Sequence, residues 1–465
     1  MDYYAVDPDL GNWENIEELG RRFHLMFDAV FNHASAQGVW FEKFLRQEEG
    51  WETAFYTVTG DPDLSKVVRP RALPLLTEFE TAAGRKRVWT TFSADQADIN
   101  FSDPGMLFRI LEALLFYVSK GARYIRLDAI AFLWKIPGTP CIHLEQTHRV
   151  IQLMRSVLDE VAPDVQLITE TNVPHVDNVS YFGDGTNEAQ LVYNFALPPV
   201  VFHTFRTGDA TRLRRWAQAL ALPSEHVTVF NFLASHDGIG LNPARGILDP
   251  AEIEALVQTA LDHNGFVSYK NNPDGTRSPY ELNISYFDAL SSPVAEESMD
   301  TQVARFLAAH SIALAFRGLP GIYFHSLFGS RGDRHGAEES GIPRRINRQK
   351  LDVTALTGEL DDTGTLRARV FTGLRQMIEA RGAHPAFSPY AAQVVPDAPA
   401  DLFLITRKTP EGREVLCATN VTASAISFPL PDEKRTWRPF AGFPALSADR
   451  TAFLPPYGVA WFEAI

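Results

Sequence analysis

The chain has 465 residues, room for roughly one large domain or two to three ordinary ones, and its 45% hydrophobic and 22% charged content is ordinary for a globular protein with a sizeable core. A net charge of −14 excludes broad contact with nucleic acid or anionic membrane, while leaving room for a local basic pocket that holds a small anion. Two cysteines, Cys141 and Cys417, stand far apart in no metal-like spacing, which excludes a disulfide framework or structural zinc and points to a reducing, cytoplasmic setting.

Taken in chain order, the opening "MDYYAVDPDLGNW" lacks the basic and apolar regions of a secretory signal. Six short apolar runs then read as strands, each ending in polar residues: 24–33, 122–130, 165–172, 189–197, 226–237 and 318–326. Between them, 106–121 and 148–163 carry apolar residues at helical spacing, and no run reaches the roughly 18 residues of a membrane helix. Strands alternating with helices predict a parallel sheet covered on both faces, and the absence of G-x-G-x-x-G after the first strand counts against a dinucleotide fold.

Polar residues at the C-terminal ends of the strands are what a (β/α)8 TIM barrel presents at its active face. With six strands readable and the first at 24–33, the expectation is an N-terminally truncated barrel that lacks its first two βα units. Such a chain is expected to be poorly soluble or inactive alone. The predicted domains are a barrel remnant with the third strand (1–34), an inserted subdomain rich in aromatics (35–105), the remaining catalytic barrel with an excursion at 240–300 (106–388), and a C-terminal antiparallel β domain (389–465).

In "YIRLDAI" (124–130) Arg126 and Asp128 alternate onto one face of a strand, inward in a closed barrel. A neighbouring guanidinium stabilises an ionised carboxylate, which suits a nucleophile; taken alone, the pair reads equally well as a buried structural ion pair. One strand on, "LITETN" offers Glu170, with fewer cations nearby in sequence and so able to keep a proton. "ASHDG" adds His236 and Asp237, and "DAVFNH" adds Asp28, Asn32 and His33. Three carboxylates on three strands, with two histidines, form the set that glycosyl transfer needs; two carboxyls roughly 5–5.5 Å apart give a retaining double displacement.

The ordered motifs "DAVFNH", "IRLDAI", "ITETN" and "FLASHD" resemble the four signature regions of the α-amylase clan, glycoside hydrolase family 13, over nearly the whole chain. That resemblance implies Asp128 as nucleophile, Glu170 as acid/base and Asp237 as transition-state stabiliser, with Arg126, His33 and His236 holding the glucosyl unit. "YNFALPP" (193–199), "SHDGIG" and "RRINRQK" (344–350) look like the sucrose phosphorylase subfamily, whose acceptor is inorganic phosphate. "AFLWKIPGTPCIHLEQTH", "ITETNVPH" and "GSRGDRHG" look closer to its glucosylglycerate phosphorylases. Phosphate needs cations, and the candidates are Arg69 and Arg71 in "RPRALP" and Arg348 in "INR". Arg344 and Arg345 are set aside as possible partners of Glu338 or Glu339. Arg331 or Arg334 is the candidate for an acceptor carboxylate, and Trp134, with Lys135, for the acceptor wall.

The expected partners are a small sugar substrate and inorganic phosphate, for a monomer or homodimer without nucleic acid, membrane, metal or organic cofactor. The alternatives are a hydrolase or transglucosidase of the same clan, or a sucrose phosphorylase proper. A more remote one is an inactive barrel acting as a binding protein. The Arg69/Arg71 pair and "INR" count against water as acceptor, and the joint presence of Asp128, Glu170 and Asp237 counts against a decayed scaffold.

Overall fold

The computed structural model describes residues 2–70, 73–272, 276–431, 435–440 and 450–465. Six strands build one sheet in chain order: β1 (Leu25–Ala29), β2 (Ala122–Leu127), β3 (Gln166–Thr169), β4 (Leu191–Tyr193), β5 (Thr228–Asn231) and β6 (Leu319–Pro320). Every neighbouring pair is parallel, and each strand falls inside one of the six apolar runs. β1 and β6 are the edges of this open sheet.

Helices cover the strands. α1 (Pro104–Ser119) begins two residues before the apolar periodicity, because Asp103 caps it by accepting from Gly105 N–H at 2.7 Å and Pro104 suits its first turn. It buries Met106, Ile110, Leu114 and Tyr117 at helical spacing against β1 and β2. α2 (Glu145–Val161) buries Val150, Ile151, Met154 and Leu158 in the same way. α3 (Leu197–Thr207) and α4 (Met299–Ala315) are sunk deep in the second core.

The residues between β1 and α1 fold into a helix, Val39–Leu45, and a small antiparallel sheet of Thr57–Val58, Gly84–Trp89 and Leu76–Thr81. Their aromatic content is packing material: Phe41 and Phe55 meet edge to face at 4.9 Å, within the core that holds α1 and β2. The excursion after β5 contains a helix, Pro250–Asp262, and a hairpin of Phe266–Asn271 with Arg277–Asn283. Ile239–Gly240 adds a third strand to that hairpin.

At the C-terminal end, β7 (Leu402–Lys408), β8 (Glu414–Asn420) and β9 (Val459–Ala464) pair antiparallel. Their side chains alternate between two cores. Leu402, Leu404 and Leu416 face a small sandwich core, whereas Phe403, Ile405, Cys417 and Trp461 join the core of α3 and α4. Trp461 Nε1 also donates to Ser311 Oγ of α4 at 2.9 Å. The C-terminal sheet is thus half of a core that the barrel helices complete. Among the described residues no helix is long and apolar enough to cross a membrane.

Candidate active site

Asp28 and Arg126 are register partners across β1 and β2, so their side chains leave the sheet on one face. Arg126 Nη1 donates to Asp28 Oδ1 at 2.6 Å and to Asp128 Oδ1 at 2.8 Å, and its Nε donates to Tyr193 Oη at 3.1 Å. Its Nη2 lies 3.8 Å from Glu170 Oε1. The Arg126 side chain is only 10% exposed, a position tolerable because the Asp28 and Asp128 carboxylates compensate its charge. Past Leu127 the backbone of Ala129 takes a left-handed turn, φ +49°, and its N–H donates to Glu170 Oε2 at 3.3 Å. That turn brings the β2 and β3 carboxylates to one place.

Burial is the main force on Glu170, and the Asp128 and Asp237 charges add to it; together they outweigh Arg126 and push its carboxyl up to about 8. The sequence-based reason, a scarcity of nearby cations, is therefore corrected: a guanidinium stands beside Glu170, and desolvation keeps the proton on. Asp237 behaves in the opposite way. Burial works against its charge too, but Arg344, His236 and Arg348 prevail and hold it below the usual carboxylate range. Arg344 Nη1 approaches Asp237 Oδ1 at 2.7 Å and Arg348 Nη2 at 3.0 Å. A carboxyl that keeps its proton can donate it, and a neighbouring one held ionised can set negative charge beside a developing cation.

These groups line a cavity of about 530 Å³ at the C-terminal ends of the strands. Of the sequence candidates, Asp128, Glu170, Asp237, His33, Arg69, His236 and Arg348 all line it, with Arg126 directly beneath. His33 is buried, its Nε2 lying 2.8 Å from the Gln96 amide and its ring 5.3 Å from that of Phe92. Arg69 donates to Leu73 O. Arg71 lies outside the described residues.

Three candidates fall elsewhere. Arg331 donates to Asp288 Oδ1 at 2.7 Å and to Gln302, because a buried Asp288 demands a cation. Arg334 pairs along its own helix with Glu338 at 2.8 Å and caps Asn264 O. Trp134 packs against the core behind β2 instead of walling the cavity. Arg344, set aside in the sequence, proves central: Glu281, not Glu338 or Glu339, receives its Nε at 2.9 Å.

Sequence reasoning also missed the role of Lys135. Its ammonium is 1% exposed and sits 2.6 Å from Asp98 Oδ2, while donating to Asn32 Oδ1 at 3.2 Å and Phe132 O at 2.6 Å. An internal cation thus ties the inserted segment to the tips of β1 and β2. The signal was the Asn32 of "DAVFNH", but its partners lie 66 and 103 residues away. Among the described residues, no cluster of three or more His, Cys, Asp or Glu side chains is arranged to hold a metal ion.

Residues 1–239 match the α-amylase catalytic-domain family. A glucosylglycerate phosphorylase of Allomeiothermus silvanus is 52% identical over 91% of this chain and 76% of that protein. A sucrose phosphorylase of Agrobacterium vitis is 29% identical over 83% of this chain and 78% of its own length. The crystal structure of a sucrose 6F-phosphate phosphorylase from Thermoanaerobacter thermosaccharolyticum superposes with a TM-score of 0.77 at 20% identity. That alignment covers 90% of this chain and 84% of the other, and it shows the shared fold. With the strand-end carboxylates in place and half of its sequence matching one catalytic domain, the chain belongs to the α-amylase family, glycoside hydrolase family 13.

Proposed function

We propose that the chain is a retaining α-glucoside phosphorylase that cleaves 2-O-α-glucosylglycerate with inorganic phosphate, giving α-glucose 1-phosphate and glycerate. The observation that carries the reading is the joint presence of a proton-holding Glu170 and a guanidinium-held Asp128 in one cavity whose wall is cationic. The 52% identity to a glucosylglycerate phosphorylase, against 29% to a sucrose phosphorylase, favours the glycerate donor.

In the first step the Asp128 carboxylate bonds to the anomeric carbon. The C1–O bond breaks towards the glycerate oxygen, which takes the proton of Glu170. Arg126 holds Asp128 in line for the attack, and the Asp237 charge stabilises the oxocarbenium-like transition state. In the second step a phosphate oxygen attacks C1, its proton passes to Glu170, and the ester to Asp128 breaks. Two inversions give retention. His33 and His236 grip the glucosyl unit, and Arg348 and Arg69 draw in the phosphate, a dianion that an acidic protein must attract locally. We place the reaction in the cytoplasm, in a monomer or homodimer; the two unbridged, buried cysteines suit a reducing compartment.

The purified chain is incubated with glucosylglycerate with and without phosphate, and α-glucose 1-phosphate is measured by phosphorus NMR. Phosphate-dependent product supports the reading. Free glucose formed at the same rate without phosphate makes the protein a hydrolase. Asp128→Asn should lower turnover by more than about 1,000-fold, as loss of a covalent nucleophile does.

A further inference from the structure

The cavity wall carries two further cations. Lys270, on the Phe266–Asn271 strand, and Arg245, in the loop before the Pro250–Asp262 helix, both line it. Neighbouring Tyr269 is 39% exposed and stacks under Arg277 at 5.4 Å, so strand alternation turns Lys270 the other way, into the cavity. Lys270 is half-buried and its charged neighbour is Arg245, while Arg245 donates through Nε to Asn242 Oδ1 at 3.4 Å. Among the described residues neither is ion-paired to a carboxylate. The hairpin's own carboxylate, Glu281, is already taken by Arg344.

The hairpin is held firmly to the acid/base. Ile239–Gly240 pairs with its second strand, and Gly240 packs so tightly on Asn172 that a Cβ there would lie 2.6 Å from Oδ1. Asn172 is two residues from Glu170. The group that Glu170 protonates is the leaving oxygen, so the aglycone lies on this side of the cavity. In a 2-O-linked glycerate the carboxyl carbon is two bonds from that oxygen. Two like charges near one another, one of them partly desolvated, are unfavourable until an anion joins them.

We propose that Lys270 and Arg245 form the carboxylate subsite that selects an acidic aglycone. The inference rests on the phosphorylase reading above, and it replaces Arg331 and Arg334, which their own carboxylates occupy. Both anions reach C1 in turn on the face that Glu170 serves, but different cations hold them: Arg69 and Arg348 the phosphate, and Lys270 and Arg245 the aglycone carboxylate, two bonds beyond the reacting oxygen.

The test compares wild type with Lys270→Met, Arg245→Gln and the double variant on two donors, glucosylglycerate and α-glucosyl fluoride, each with phosphate. The fluoride donor has no carboxylate and reports on folding, the glucosyl site and phosphate use. The double variant should lose about 10- to 100-fold in kcat/KM for glucosylglycerate, mainly through KM, the range expected for lost charge-assisted hydrogen bonds. Its values for the fluoride donor and for phosphate should stay within about threefold of wild type, and Lys270→Arg should recover part of the loss. An equal fall on both donors, or a rise in the KM for phosphate, overturns the inference by making these cations a phosphate or folding element. Unchanged donor preference in the double variant refutes the inference alone. Wild type that uses the fluoride donor but ignores glucosylglycerate refutes the proposed substrate and the subsite together.

Discussion

Arg126 and Glu170 stand 3.8 Å apart, yet burial leaves the carboxyl protonated up to about pH 8. Under the proposed mechanism, with Glu170 as proton donor, this predicts a first-step rate that declines above about pH 8 as Glu170 ionises, while Asp237 stays ionised into the acidic range. A stability consequence follows with a definite sign. The folded-state value is raised from 4.5, so the contribution of Glu170 is fully present below 4.5 and is lost as pH rises through about 8. Glu170→Gln does not titrate, so its melting temperature should gain on wild type between pH 5 and pH 9. Calorimetry across that range checks it, and a constant difference would contradict the burial account. Arg126 and Asp128 were legible in the sequence because two residues of one strand must share a face. Tyr193 and Arg344 were not, and Asp28 was named without its partner, because their hold on the same charges depends on strand register and on contacts 67 to 107 residues apart.

At the level of elements, the six parallel strands were readable because a strand covered on both faces must be apolar along its length. The inserted segment was readable as an interruption, but not as a sheet clamped by an ammonium. Asp98, the last residue of the Gln96–Asp98 strand, is fully buried, and Lys135 meets it 37 residues on from a separate segment, a pairing that no local pattern announces. This clamp sets the cavity wall, since Asn32 touches Asp98 and also lies 3.3 Å from His33 Nδ1. Lys135→Met strips a buried carboxylate of its cation and should destabilise the protein by about 3–5 kcal/mol in urea unfolding. The double variant Lys135→Met/Asp98→Asn should be less destabilised than Lys135→Met alone, because no charge is then left stranded. Additive effects would show that the two side chains do not interact.

Across the whole molecule, the C-terminal strands announced themselves by alternation, yet alternation cannot say what either face meets. Here one face completes the core of α3 and α4, and a single buried arginine fixes the join. Arg407 of β7 donates to five carbonyls: Ala315 and Phe316 at the end of α4, Ser388 and Ala391 in the linker, and Ala392 on the adjoining strand. Burial lowers its proton affinity to about 9, and no carboxylate is among those partners. The end of α4 offers partial negative charge in place of a carboxylate, since its last carbonyls lack intrahelical donors. An ammonium has three donors and no fork, so Arg407→Lys keeps the charge but leaves some of these carbonyls unsatisfied. The expected cost is about 2–4 kcal/mol of global stability, with loss of cooperativity between the barrel and the C-terminal sheet. Hydrogen exchange would read this as faster exchange in β7 and β8 than in β2 and β3. Uniform protection across both sheets would mean that the apolar core alone joins them.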